Sequence, residues 1–257
     1  MSDIYDIFSV KEKKVLITGA ANGNGAEFAR SFGKAGSRLT LIDVDNKNLI
    51  SIANEIQSET GNDIKRYNVD LSNTDSIDKF LALKEIPNFD VVINNAGVTI
   101  GNDILNYQDD DWELTHKINL TAPYKIIKAV SKGMCERGQG SIINITSLAA
   151  EMGFPGNPGY VSSKGGLKQL SKAVASDISK YGVRINSVGP GYIKTNMTSK
   201  SWNDKNLRSE RSNRIMLDRW GESNDLVGLL IFLASDASSY ITGQDFYVDG
   251  GWLSKGL

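Results

Sequence analysis

The chain has 257 residues, 40% hydrophobic and 23% charged, with a formal net charge of −1. That length holds one large α/β domain or two small ones, and the near-zero charge excludes a general attraction to nucleic acid or anionic membrane. A single cysteine, Cys135, excludes an internal disulfide framework and suits a reducing, cytoplasmic setting.

The expected elements alternate from end to end. A first β-type run at 15–18 leads through a glycine-rich loop into a helix with Phe28, Phe32, Ala35 and Gly36 on one face and a stop at Gly36. Further β-type runs follow at 39–42, 64–69 and 91–93, with Ser72-Asn73-Thr74-Asp75 read as a capping box ahead of Ile77, Phe80 and Leu81. Runs at 142–145, 183–188 and 246–248 complete the series, and Ser223-Asn224-Asp225 opens a helix over 223–234. Several runs are near-continuous Val, Ile and Leu, the pattern of strands covered on both faces. Strand–helix alternation of this kind predicts a parallel sheet wrapped on both sides. With no linker, low-complexity tract or repeat, residues 1–257 read as one domain. No apolar run approaches the roughly 20 residues of a membrane helix. The opening MSDIYDIFSVKEKK lacks the basic start and apolar block of a signal peptide.

The first strand ends in Thr18-Gly19-Ala20-Ala21-Asn22-Gly23-Asn24-Gly25. Glycines permit a tight turn and bring backbone N–H groups close to a pyrophosphate, and the helix N-terminus adds partial positive charge. The second strand ends at Asp43, 18 residues after Gly25. A carboxylate there accepts from the ribose hydroxyls of NAD and repels the extra phosphate of NADP. A strand-end cap is the other use for Asp43, and Asp45 is a rival acid. Asn22 puts no basic residue in the loop, and Arg38 falls at the far end of the second strand.

Tyr160 and Lys164 lie four residues apart, on one face of a helix. A free phenol has a pKa of about 10, and a neighbouring cation lowers it. Tyr160 is therefore a candidate general acid/base for an alcohol or ketone, and Lys164 a candidate partner of the nicotinamide ribose. Ser147, at the end of the fifth strand, is placed to orient the substrate oxygen. Taken alone a Tyr-x-x-x-Lys pair is often plain helix surface; three such residues converging at the strand ends of a parallel sheet point to a site.

Together these residues resemble the short-chain dehydrogenase/reductase family from Lys14 to Trp252. The resemblance rests on Thr18-Gly19, Gly23 and Gly25, with Asn24 departing from a branched aliphatic residue. It extends to Asp70-Leu71, similar to an acid–aliphatic pair beside adenine, and to Asn94-Asn95-Ala96-Gly97, similar to the strand end lining the cofactor cleft. It implies a catalytic tetrad of Asn119, Ser147, Tyr160 and Lys164, with 13 residues from Ser147 to Tyr160, and a water held at Asn119 for proton relay. Pro190-Gly191-Tyr192-Ile193-Lys194-Thr195 is similar to the segment that embraces the carboxamide, through the Ile193 backbone and the Thr195 hydroxyl. The implied fold is a single-domain Rossmann fold with a doubly wound seven-stranded sheet in order 3-2-1-4-5-6-7. The implied assembly is a homotetramer. Arg219-Trp220-Gly221-Glu222 and Tyr247–Trp252 resemble the gluconate 5-dehydrogenase and deoxygluconate dehydrogenase branch.

The expected function is hydride transfer between NAD and a secondary alcohol or ketone of a sugar, polyol or sugar acid. The alternatives are an NADPH-dependent 3-oxoacyl carrier protein reductase and a cofactor-binding regulator without turnover. Residues 196–219 are expected to cover the substrate. Their Arg208, Arg211, Arg214 and Arg219 suit a carboxylate, or form a solvated helix with Asp204, Glu210 and Asp218. Asn102, Asn106, Glu151 and Asn157 are candidates for sugar hydroxyls, or simply polar loop. His116 reads as a helix-surface or interface residue and Cys135 as helix packing. So few His and Cys argue against a zinc alcohol dehydrogenase, and no metal is expected.

Overall fold

The computed structural model describes residues 5–84 and 88–255. The first four residues of the N-terminal segment, on which part of the signal-peptide reading falls, lie outside them. Each expected β-type run forms a strand: β1 (Lys14–Thr18), β2 (Arg38–Asp43), β3 (Ile64–Asn68), β4 (Val91–Asn94), β5 (Gly140–Ile145), β6 (Val183–Pro190) and β7 (Asp245–Val248). They make one seven-stranded sheet in the order β3-β2-β1-β4-β5-β6-β7 with every pair parallel, the order that the family resemblance implied.

The helices are α1 (Gly23–Lys34), α2 (Asn46–Thr60), α3 (Thr74–Leu81), α4 (Asp109–His116), α5 (Ala122–Arg137), α6 (Pro158–Ile178), α7 (Ser199–Asn203), α8 (Lys205–Ser212) and α9 (Asn224–Ala234). Successive strand residues feed opposite cores, as the two-residue pleat requires. Val15, Ile17, Leu39, Leu41 and Ile143 pack with Phe28 and Phe32 of α1, Ile56 of α2 and Leu230 of α9. Leu16, Ile42, Val92, Ile142 and Ile185 face the other way, onto Phe80 of α3, Ile126 of α5 and Ala175 of α6. Burying both faces is what makes β1 and β4 read as unbroken aliphatic runs. β3 is the exception: its residues alternate between sheltered and solvent-facing, as suits an edge strand.

Three local expectations are corrected. The cap of α3 is Asn73, whose side chain accepts from Asp75 N and Ser76 N, while the Ser72 hydroxyl donates to Asp70. Asn73 captures the first turn because its amide oxygen reaches the same free N–H groups. Helix α1 ends at Lys34, so Ala35 and Gly36 belong to the turn that follows, with Gly36 at φ +82° redirecting the chain into β2. Residues 196–219 hold two short helices, α7 and α8, split where Asp204 caps α8 through Asn206 N and Leu207 N. Among the described residues no helix is long and apolar enough to cross a membrane.

The strand order reverses direction between β1 and β4. A doubly wound sheet opens a crevice at the carboxyl ends of the strands at such a point, and the sequence-predicted residues gather there.

Candidate active site

The glycine loop is stapled to the end of β4. Thr18 Oγ1 accepts from Asn95 N and Ala96 N, each at 3.0 Å. Asn95 Nδ2 donates back to Thr18 O at 3.0 Å and Gly19 O at 3.2 Å. A Cβ on Gly19 would sit 2.8 Å from Ala96 Cα, and one on Gly25 would overlap the Gly19 carbonyl oxygen. Gly23 starts α1 at φ +53°, and only Thr195 comes within 4 Å of where its Cβ would be. The glycine loop thus comes close to Thr195 of the 190–195 segment, and backbone N–H groups at a helix start border it. That cradle fits a dinucleotide pyrophosphate.

Asn22 occupies the N-cap position of α1 without a side-chain cap bond. It donates to Asp45 at 3.2 Å and accepts from Asn48 at 3.3 Å. Asn24, the departure from an aliphatic residue, accepts from the Ser223 hydroxyl at 2.7 Å, so a hydrogen bond to the start of α9 replaces apolar packing. Asp43 accepts from Ala21 N and Asp45 N, both at 2.9 Å. It braces the loop, as a cap would, and each oxygen keeps a free lone pair. Asp45 is committed as the cap of α2. The Asn48 N–H, then the Asn22 amide, hold its carboxyl below the ordinary range. Arg38 forks Glu12 at the opposite sheet end. Asp70 accepts from Ser72 N at 2.9 Å in the turn after β3, and Leu71 is buried in the core beside it.

Tyr160 lies in the first turn of α6 and Lys164 one turn on. Lys164 is 3% exposed. Its ammonium donates to Ile145 O at 2.7 Å and lies 5.8 Å from the centroid of the Tyr160 ring. Among the described residues that carbonyl is its one acceptor, which leaves donors for ribose hydroxyls. Asn119 is fully buried in a π-helical turn, Lys117–Thr121, between α4 and α5. Such turns recur at functional sites. Its amide accepts from Val98 N at 2.8 Å and donates to Val98 O at 2.9 Å and Ser163 Oγ at 3.1 Å. Ser163 in turn donates to Tyr160 O at 2.8 Å. The sequence reading passed over Ser163, whose only signal was its place beside Lys164. A Cβ on Gly97 would lie 3.3 Å from Asn119 Oδ1 and 3.4 Å from Lys164 Nζ, so the three meet at one point.

Spacing alone predicts that Lys164 lowers the phenol of Tyr160. Burial overrides it. Removal from water pushes Tyr160 up, against a hydrogen bond with Ser147 that favours the phenolate, and nearby Tyr192 adds to the rise. Burial also brings Lys164 down to about 8. Ser147 Oγ further accepts from Ala149 N at 3.1 Å.

Pro190 and Gly191 close β6, with Gly191 N donating to Val248 O at 2.9 Å. Ile193 bridges to Gly221 through its neighbours: Lys194 N donates to Gly221 O and Gly221 N to Tyr192 O. Thr198 Oγ1 donates to Ile193 O at 2.6 Å and accepts from Thr195 N at 3.1 Å. It fixes this segment and was not anticipated.

The arginines of 196–219 part company. Arg219 forks Asp225 at 2.7 and 2.8 Å and is spent there. Arg208 lies 5.0 Å from the Trp202 ring, Arg211 4.8 Å from Tyr192 and Arg214 5.8 Å from Trp252. Among the described residues these three have no carboxylate within 4 Å, and α8 is a largely solvent-exposed helix, so the solvated reading stands beside the carboxylate one. The candidate sugar-binding residues are bonded within their loops, between them, or to α6 and β7. Asn102 donates to Asn106 O and Thr99 to Asn157, while Glu151 is held by Lys168 and by Tyr247 Oη at 2.6 Å. His116 joins α4 to α6, with Nδ1 2.9 Å from Trp112 O and Nε2 3.1 Å from Ser162 Oγ.

A family model described as enoyl-(acyl carrier protein) reductase matches residues 19–253. The 2-dehydro-3-deoxy-D-gluconate 5-dehydrogenase of Bacillus subtilis is 31% identical over 256 residues, covering 99% of this chain and 100% of that protein. A 3-oxoacyl-[acyl-carrier-protein] reductase of Chlamydia trachomatis is 34% identical, covering 93% and 96%. The solved gluconate 5-dehydrogenase of Burkholderia cenocepacia, in complex with NADP and tartrate, superposes with a TM-score of 0.92 at 30% identity, covering 99% of this chain and 100% of that one. The chain belongs to the short-chain dehydrogenase/reductase family. This short-chain dehydrogenase/reductase is an oxidoreductase of CH–OH groups that works with a nicotinamide cofactor.

Proposed function

We propose that the enzyme moves a hydride between NAD and a secondary alcohol or ketone of a sugar acid. The observation that carries the cofactor choice is Asp43, whose unshared lone pairs stand at the end of β2 beside a loop with no basic side chain. They suit ribose hydroxyls and repel a 2′-phosphate. The Bacillus subtilis relative favours a sugar acid. The nicotinamide supplies the hydride chemistry. The chain supplies the rest: Tyr160 Oη takes the hydroxyl proton on oxidation and returns it on reduction, and Ser147 Oγ orients the substrate oxygen. Lys164 holds the ribose and favours the phenolate by charge, while Asn119 positions the water of a proton relay. Gly19, Asn22, Gly23, Asn24 and Gly25 border the pyrophosphate. Asp70 and Leu71 flank the adenine, Asn95, Ala96 and Gly97 line the cleft, and Pro190, Gly191, Ile193 and Thr195 hold the carboxamide. Residues 196–219 cover the substrate, and the working assembly is a homotetramer.

The test is NADH absorbance on a panel of sugar acids, neutral sugars and polyols, hydroxysteroids and an acetoacetyl thioester, with both cofactors. Turnover of a sugar acid with kcat/KM at least about 10-fold higher for NAD than for NADP is expected, the size of one lost or repelled charge contact. Preference for NADPH and the thioester would favour the activity of the Chlamydia trachomatis relative instead. Asp43→Asn keeps an acceptor for the loop but removes the charge. It should raise KM for NAD by about 10-fold and erase most of the discrimination against NADP. An unchanged cofactor ratio would dismiss Asp43 as the selector.

A further inference from the structure

Three arginines of the described residues pair with carboxylates: Arg30 forks Glu55, Arg38 meets Glu12 and Arg219 forks Asp225. Arg211 does not. Its Nη1 is shut off from solvent and has no hydrogen-bond partner among the described residues, a costly state for a charged donor. Arg184 also has an unpartnered Nη1, but it stands near the start of β6, away from the crevice, with Nη2 on Leu233 O and Ser235 O. The Arg211 guanidinium is stacked 4.8 Å from the Tyr192 ring. Tyr192 packs on Trp220 at 5.0 Å and Trp252 at 4.9 Å, and Arg214 lies over the latter. An aromatic floor directly after Pro190-Gly191 at the strand ends thus carries two cations that have no carboxylate within 4 Å among the described residues, with the Glu210 charge also acting on Tyr192.

We propose that Arg211 is the carboxylate anchor of the substrate site, and that it selects hydroxy acids whose carboxylate lies several carbons from the reacting carbinol. The distance requirement follows from Tyr192. Tyr192 packs in one apolar cluster with Leu148, the residue after Ser147, and the Arg211 guanidinium lies 4.8 Å from the centroid of its ring. The Tyr192 ring therefore links the Ser147 side of the crevice to the guanidinium. A carboxylate on the carbon next to the carbinol would not reach Arg211; one at the far end of a five- or six-carbon chain would, with Tyr192 available to the hydroxyls between. A fork on a carboxylate satisfies the stranded Nη1 in a bidentate bond. This inference rests on the sugar-acid reading and narrows it.

The experiment is calorimetric titration of the full chain, saturated with NADH so that an alcohol cannot react, with D-gluconate, sorbitol and lactate. Steady-state oxidation of the same compounds runs in parallel. Arg211→Met should weaken gluconate binding and raise its KM by about 10- to 100-fold, leave sorbitol unaffected, and change kcat little. Arg211→Lys should recover part of the loss, and Arg38→Gln, which removes the same charge at the far sheet end, should recover wild-type behaviour in full. Lactate should bind no better than sorbitol. Equal gluconate affinity in wild type and Arg211→Met overturns the inference, and if the wild type oxidises gluconate the sugar-acid reading survives it. Gluconate bound through Arg211 without oxidation of any sugar acid upholds the anchor and overturns that reading. Should Arg211→Met fail to fold, Arg211→Lys decides: full gluconate affinity without the guanidinium fork overturns the anchor.

Discussion

Tyr160→Phe will lower turnover about 10²- to 10⁴-fold, the range for loss of a positioned general acid/base, while NAD affinity stays within about twofold. The ring that packs in the first turn of α6 is retained, and so is the face over which the Lys164 ammonium lies at 5.8 Å. What disappears is the oxygen that shares a hydrogen bond with Ser147. The loss should therefore fall on kcat and kcat/KM together, with KM little changed, as for an interaction made only in the transition state. Stopped-flow NADH absorbance and a cofactor fluorescence titration separate the two. Near-normal turnover would remove Tyr160 from proton transfer. The direction of pH dependence follows from the same environment. Burial raises the phenol, so the phenolate needed to accept a proton grows as pH rises above neutrality. Oxidation should speed up across that window, while carbonyl reduction, which uses the neutral phenol, should stay level until the pH passes about 10, and the alkaline rise in oxidation should vanish in Tyr160→Phe. A wild-type enzyme inactive on every alcohol and ketone of the panel would revive the non-catalytic regulator.

Much of this site was legible in the sequence because its parts are local. The Thr18–Gly25 loop, the Asp43 strand end and the one-turn spacing of Tyr160 and Lys164 are short-range patterns, and the strands reveal themselves because both sheet faces are covered. The errors came where a side chain's partner is remote. The spacing of Tyr160 and Lys164 says nothing of how far both are withdrawn from water, so it gives the wrong sign for the phenol. Asn24 departs from the aliphatic residue of the family pattern, and the Ser223 hydroxyl that bonds it lies far along the chain. The charge pattern of 196–219 suits a solvated helix, which α8 largely is, but sequence does not show Trp202, Tyr192 and Trp252 gathered under Arg208, Arg211 and Arg214. The π-helical turn that carries Asn119 has no compositional mark at all.

Lys164→Met will cost about 10²- to 10³-fold in turnover, as for removal of one electrostatic stabiliser, and yet leave the fold as stable as the wild type or more so at pH 7. Burial moves the Lys164 ammonium from its ordinary 10.5 to about 8. That corresponds to about 3 kcal/mol by which the folded protein disfavours the charged form. Because the folded pKa lies below the unfolded one, the unfolded chain holds the proton more tightly. The penalty is complete below about pH 8 and fades as pH rises toward 10.5. Methionine of similar length removes it. Against this stands the lost bond to Ile145 O, about 1–3 kcal/mol for a charged donor whose buried acceptor is left alone. The two terms leave a gain of roughly 0–2 kcal/mol at pH 7, readable as a higher urea midpoint. At pH 10 the wild type has shed most of its penalty, so the gain should shrink or reverse. A variant that is clearly less stable at pH 7, or whose difference from wild type is the same at both pH values, would contradict the account. If a neutral side chain folds as well there, the ammonium is not held by its contribution to the fold, which is the result expected if it acts on the phenol and a ribose as proposed.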